Sequence, residues 1–374
     1  MDVNEPLQLL GGISPALFMR RYWHKKPLLV RQAIAGFAPA LDPAALFRLA
    51  GNAAVQSRLV TTSGTGHRAA WTLRQGPFAR RSLPRLAEPG WTLLVQGVDL
   101  LRDEVHAVRD RFRFVPDARL DDVMVSYASD AGGVGPHFDS YDVFLLQTRG
   151  RRRWRVGLQK DLSLRDGLPL KILKNFAPDT EYDLEPGDML YLPPGIAHDG
   201  VARGACMTWS IGFRAPDSGE LAAELLQRLV MDASDTPRQH RYRDPRQRAV
   251  GAPAAIPASI LGFARASLHR VLGEPYAVER VLGETLTEPK PDAWFEATAA
   301  ASGGAVVLDH KTRMMYDLRH VFINGESFVA SGRDAVLMRA LAGDRHLSAA
   351  ALRRASRQAL GLLSDWQGAG WIHG

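Results

Sequence analysis

The stretch Gly135–Phe144, GPHFDSYDVF, sets a histidine and an aspartate two residues apart just before an apolar run. Side chains of an extended segment alternate between faces. His137 and Asp139 therefore share one face, and Phe138 is expected to turn away into packing. An imidazole and a carboxylate presented together are two ligands for one divalent ion, and a third has to come from a distant strand.

That partner stretch is Pro186–His198, PGDMLYLPPGIAH. Gly187, Pro193, Gly195 and His198 follow the spacing G-x5-P-x-G-x2-H, which resembles the second signature motif of the cupin superfamily. There the Gly-Asp makes a turn, the apolar run is a strand, and Pro-Gly bends the chain so that the histidine faces inward. His137, Asp139 and His198 then compose a two-histidine, one-carboxylate set. With positions left open on the ion, this set suits non-haem iron(II) oxygenase chemistry. A lone HxD is common by chance, and the reading rests on its pairing with the spaced motif.

A second feature lies on the strand RRRWRV, Arg151–Val156. Alternation puts Arg152 on the face of Trp154 and Val156, which belongs inside, and puts Arg151, Arg153 and Arg155 outside. An inward guanidinium needs an anion, and a carboxylate matches its two-pronged geometry. Either a core acidic residue or a bound diacid supplies it. 2-Oxoglutarate has the required shape, with a 2-oxo acid end to chelate iron and a distal carboxylate to reach Arg152. Ser126 and Ser129 are the candidate assisting hydroxyls, and strand parity alone selects neither.

Around these motifs the chain has three textures. The first, residues 1–215, begins with the helical ALFMRRYWHKKP and continues as short strands punctuated by Gly and Pro, at Val123–Ser129, Asp142–Thr148, Arg151–Leu158, Asp188–Leu192 and Cys206–Phe213. Thr148-Arg149-Gly150 reads as a tight hairpin between the second and third of them. Many short strands argue for a barrel or sandwich. The second, 216–288, is helical: Asp217-Ser218 caps a segment with Leu221, Leu225, Leu226 and Leu229 on one stripe, and IPASILGFARASLHRVLG repeats the period. Such a segment packs on its own barrel or on a second copy, and a homodimer is the expectation. The third, 289–374, joins a helix around Trp294–Ala301, a hairpin at Asn324-Gly325 and two later helices, which suits a winged-helix shape.

Taken together, GGVGPHFDSYDVFLLQTRGRRRWRVG, PGDMLYLPPGIAHDG, SIGFRAP and the early FMRRYWHKKPLLVRQA resemble the JmjC-type ribosomal oxygenases of bacteria. The resemblance implies an α+β chain: a double-stranded β-helix of the cupin/JmjC type, then a helical dimerisation segment, then a winged-helix-like domain. It implies an iron(II)- and 2-oxoglutarate-dependent hydroxylase of an arginine in large-subunit ribosomal protein sixteen. His137, Asp139 and His198 are then the iron ligands, and Arg152 holds the distal carboxylate. The family's assisting serine falls near Ala128, which leaves Ser126 or Ser129 as substitutes. Asp130 and Ser210 lie where a cationic substrate head is held. The alternatives are a histidyl hydroxylase of another ribosomal protein and a metal-stabilised cupin/winged-helix regulator that binds nucleic acid.

The bulk properties bound these readings. The 374 residues carry a formal charge of +7 and are 46% apolar, enough for a sizeable core and weakly suggestive of an anionic or nucleic-acid partner. The single cysteine, Cys206, sits in an apolar run and reads as a small buried hydrophobe. No apolar stretch reaches membrane-spanning length, and MDVNEPLQLLGG has no signal-peptide shape, so the expected setting is cytoplasmic.

Overall fold

The computed structural model describes residues 2–64, 70–235, 241–291, 293–297 and 304–374, with the backbone alone for 232–235. The chain divides into two units, Met1–Ala215 and Pro216–Gly374.

In the first unit, α1 (Pro15–Arg21), α2 (Pro43–Ala50) and α3 (Asp103–Asp110) accompany nine strands. These are β1 (Leu28–Val30), β2 (Ser57–Ser63), β3 (Ala70–Gln75), β4 (Trp91–Val95), β5 (Leu120–Ala128), β6 (Val143–Gly157), β7 (Thr180–Leu184), β8 (Met189–Leu192) and β9 (Ala197–Phe213). Ser14 and Asp42 cap α1 and α2 with their side-chain oxygens, and a proline opens each helix where its missing N–H costs nothing. The strands pair in the order β1-β8-β6-β9-β5-β4-β2-β3, with β7 beside β6. This strand order is that of the expected double-stranded β-helix.

Strand alternation gives this sheet two apolar faces. Phe144, Leu146, Val125, Trp209 and Tyr191 pack with Phe18 of α1 and Phe47 of α2 in the main core. Phe18 meets Tyr191 edge-on, ring centroids 4.9 Å apart. The opposite face, with Val143, Leu145, Thr92, Met124 and Ser210, lines a cavity.

The hairpin expected at Thr148-Arg149-Gly150 is not formed. β6 runs unbroken from Val143 to Gly157 against β9, and the register slips between Gln147 and Arg149 and again between Arg149 and Arg151. Gly150 sits at φ +63, and a Cβ there would lie 2.2 Å from the Ala205 carbonyl oxygen. The glycine makes a bulge rather than a turn. The irregularity inverts the strand's parity: Val143 and Leu145 face the cavity before it, and Arg152 and Trp154 after it.

The second unit holds α4 (Ser218–Asp235), α5 (Ala258–Leu272), α6 (Ala277–Thr287), β10 (Val306–Leu308), β11 (Met314–Tyr316), β12 (His320–Ile323), β13 (Glu326–Val329), α7 (Gly332–Asp344), β14 (His346–Leu347), α8 (Ala349–Leu352), α9 (Arg357–Gly368) and β15 (Ile372–His373). As expected, Asp217 Oδ1 accepts from the N–H groups of Gly219 and Glu220 at the start of α4. Of the leucine stripe, Leu229 is buried, whereas Leu226 is exposed. The hairpin at Asn324-Gly325 is present, with Ile323 opposite Glu326. The helix expected around Trp294–Ala301 is absent over 294–297, where the backbone is irregular and Trp294 is exposed; residues 298–301 lie outside the described residues. Leu308, Ile323, Leu341, Trp366 and Ile372 centre this unit's own core.

Candidate active site

The HFD segment is a loop rather than a strand, pinned at three points. The His137 and His198 backbones exchange N–H···O bonds of 2.9 and 2.8 Å, an isolated antiparallel bridge. The Gly195 N–H donates to the Asp139 carbonyl at 2.8 Å. Beyond it, the buried Asp142 accepts from the Tyr191 hydroxyl at 2.5 Å and lies 2.8 Å from His24 Nε2. This loop and the start of β9 bring together three side chains far apart in sequence. One ligand atom from each of His137, Asp139 and His198 lies within 4.8 Å of the others.

The imidazoles are oriented by local backbone. Nδ1 of His137 is 2.9 Å from the Gly135 carbonyl oxygen, and Nδ1 of His198 is 2.9 Å from that of Ile196. A carbonyl only accepts, so each Nδ1 carries the proton and each Nε2 offers its lone pair. His198 Nε2 is 3.7 Å from Asp139 Oδ2. Burial, and then the neighbouring His137, lower the His198 pKa to about 4. At neutral pH the imidazole is therefore uncharged and ready to ligate. Two imidazole nitrogens and one carboxylate, converging on one point, fit a divalent transition ion.

These groups open on a cavity of about 560 Å³ whose lining includes Arg152. Arg152 is 5% exposed. Its Nη1 donates to Ser126 Oγ at 3.3 Å and to Thr208 Oγ1 at 3.2 Å. Thr208 in turn donates to Gln147 Oε1 at 2.9 Å, and Ser126 to the Thr208 carbonyl at 3.3 Å. Among the described residues no carboxylate pairs with Arg152. A buried guanidinium held only by hydroxyls is poorly compensated, and a bound anion completes it. Trp154 stands between the two ends, its ring 5.8 Å from that of His198 and 5.4 Å from the Arg152 guanidinium carbon. A diacid that chelates an ion with one end and meets Arg152 with the other fits this arrangement.

The other expected residues divide. Ser126 and Ser210 line the cavity. Ser129 does not: its hydroxyl accepts from the Trp91 N–H at 3.1 Å and donates to the Trp91 carbonyl at 3.3 Å, tying the segment just past β5 to the start of β4. Asp130 lies outside as well, exposed, with Oδ1 accepting from the Gly204 N–H at 2.8 Å. Phe138, expected to pack away from the ion, lines the cavity because its segment is a loop and not a strand. Sequence reasoning passed over Thr92, Asp122, Met124 and Tyr141, which line the cavity. Asp122 and Met124 follow from the parity of Ser126 on β5, a signal that was there to use. Burial, and then Asp139, raise the Tyr141 pKa, so this phenol keeps its proton beside the ligand carboxylate.

A JmjC-domain family model matches residues 107–221, and a ROXA-like winged-helix model matches 264–373. The chain is 32% identical over 339 residues to the ribosomal protein uL16 3-hydroxylase of Escherichia coli (strain K12), spanning 85% of this chain and 86% of that protein. It is 37% identical over 213 residues to a probable ribosomal oxygenase of Haemophilus influenzae, spanning 56% of this chain and 52% of that one. Among solved structures it resembles YcfD, a ribosomal oxygenase from Escherichia coli in complex with cobalt and 2-oxoglutarate. The TM-score is 0.76 at 29% identity, over 96% of this chain and 97% of the other.

Proposed function

Because the chain belongs to the JmjC-domain ribosomal oxygenases, we propose that it is an iron(II)- and 2-oxoglutarate-dependent hydroxylase of an arginine side chain in large-subunit ribosomal protein sixteen. One observation carries this: a two-histidine, one-carboxylate cluster and a buried, carboxylate-free arginine share a single cavity. The choice of arginine and of that ribosomal protein is supported by the Escherichia coli relative.

His137, Asp139 and His198 would hold the ion, and Arg152 the far carboxylate of the diacid. When bound, this pair supplies dioxygen activation, the diacid leaving as succinate and carbon dioxide. The remaining task is placement. Asp122, 4% exposed, brings a carboxylate to the cavity wall for the substrate guanidinium. Met124, Tyr141 and Ser210 stand with it, a thioether and a ring to flank the methylenes and a hydroxyl for a further N–H. This group takes over the role expected of Asp130. Leu170 and Ile172, from the segment between β6 and β7, wall the cavity and exclude water.

The chain works as three parts: an oxygenase domain over 1–215, a helical dimerisation segment over 216–288 and a winged-helix-like domain over 289–374. Leu226, Leu261, Leu268 and Leu272 stand exposed on α4 and α5, which supports a homodimer through those helices. Among the described residues no helix is long and apolar enough to cross a membrane. A ribosomal substrate supports a cytoplasmic setting. Mass spectrometry of ribosomal proteins from cells with and without this gene tests the whole proposal. One added oxygen on one arginine of ribosomal protein sixteen, only with the gene, is the expected result. Identical spectra refute it, and an oxygen on a histidine of another ribosomal protein moves the assignment to the histidyl variant.

A further inference from the structure

In the first unit, three buried polar atoms of residues that line this cavity have no hydrogen-bond partner among the described residues: Arg152 Nε, Trp154 Nε1 and Thr92 Oγ1. Orphaned donors of this kind are scarce in folded proteins, because each forfeits its hydration without replacement. Thr92 is 0% exposed. It sits on β4 directly opposite Ala128 of β5, whose methyl offers no partner. The next inward residue of β5 is Ser126, which already accepts from Arg152 and donates to the Thr208 carbonyl. Thr208 is likewise occupied, between Arg152 and Gln147. The two hydroxyls that touch Arg152 therefore brace it, and Thr92, opposite Ala128 and one inward position along from Ser126, keeps its hydrogen to give.

We infer that Thr92 is a ligand of the cosubstrate, donating its hydroxyl hydrogen to the distal carboxylate that Arg152 binds. The inference rests on the 2-oxoglutarate reading above and adds to it a residue from β4. It also explains why a strand position flanked by apolar neighbours carries threonine where valine has the same shape. In the free protein this hydroxyl is a cost, and only an acceptor brought by a ligand turns it to use.

The test is calorimetric titration of 2-oxoglutarate into the full-length protein loaded with manganese(II), beside 2-oxobutyrate, which keeps the chelating end and lacks the distal carboxylate. Thr92→Val should weaken 2-oxoglutarate binding about ten- to a hundred-fold, the range for a hydrogen bond to a charged acceptor. It should leave 2-oxobutyrate and manganese affinities unchanged. Thr92→Ser, which keeps the hydroxyl, should bind 2-oxoglutarate within roughly three-fold of wild type. The metal-free Thr92→Val protein should melt no lower than wild type, because an unsatisfied hydroxyl has been removed; a purely structural threonine gives the opposite. Wild-type affinity in Thr92→Val, or an equal loss for both oxo acids, overturns the inference while the oxygenase reading stands. Failure of the wild-type protein to bind 2-oxoglutarate overturns that reading, and the inference with it.

Discussion

Gly200 shows how a single missing side chain holds the site open. A Cβ there would lie 2.6–2.8 Å from three atoms of the Trp154 ring. That ring separates His198 from Arg152, so Gly200→Ala drives the indole into the cavity. The variant should lose roughly 1–3 kcal/mol of stability, the usual cost of overpacking. It should also show a raised KM for 2-oxoglutarate; an unchanged melting temperature and KM contradict this. Arg152→Lys is a second case. Lysine keeps the charge and loses the planar fork, so the KM for 2-oxoglutarate should rise about ten-fold or more, since a paired hydrogen bond to a carboxylate is lost. At this scale much was legible in the sequence. His137, Asp139 and His198 could be expected to meet because glycine and proline fix where a histidine points, and Arg152 because tryptophan and valine mark an inward face. Ser129, which parity left open, and Asp130, which came from resemblance alone, both stand just past the end of β5, where the hydroxyl and carboxylate meet backbone N–H groups.

At the level of elements, the bulge in β6 decides which way Arg152 faces. An unbroken two-residue period from Val143 and Leu145 carries odd-numbered residues inward and leaves Arg152 outside. The slip around Gly150 reverses this. The sequence shows a glycine between two strand-like runs, and a hairpin and a bulge look alike there. Only the long pairing with β9 decides between them. Gly150→Ala forces a non-glycine residue into a left-handed conformation against the Ala205 carbonyl. It should cost at least roughly 1–3 kcal/mol and weaken 2-oxoglutarate binding measured on the folded fraction. The turn before β8 gives a pH-dependent case. Burial pushes the Asp188 carboxyl up, but the N–H groups of Gln32 and Glu185 and the Arg31 guanidinium outweigh it and hold it below the usual range. The folded chain then binds this proton less readily than the unfolded chain. The stability it contributes is complete above the unfolded carboxyl value of about 3.9 and is lost as pH falls through the lower folded value. Asp188→Asn should cost roughly 1–3 kcal/mol near neutrality and flatten the acid limb of stability followed by urea unfolding. An acid limb as steep as that of wild type excludes this role.

For the whole molecule, the apolar residues left exposed on α5 are the main departure from a self-sufficient chain. None of its residues is buried. Leu268→Glu should convert a dimer to a monomer by light scattering while the barrel keeps its metal affinity; a monomeric wild type contradicts the proposed assembly. The order of barrel, helices and winged helix was legible from texture and resemblance. The exposed face of α5 was not, because helical periodicity marks an apolar stripe without saying what covers it. The buried charge of Arg152 has a consequence for the living cell. A folded form completed by a metabolite is stabilised in proportion to the logarithm of how far that metabolite exceeds its dissociation constant, by about 2.7 kcal/mol at a hundred-fold excess. Proteases act on the opened chain, so turnover of this protein should quicken when the central carbon supply falls. Its abundance would then follow nutrition without any change in its synthesis.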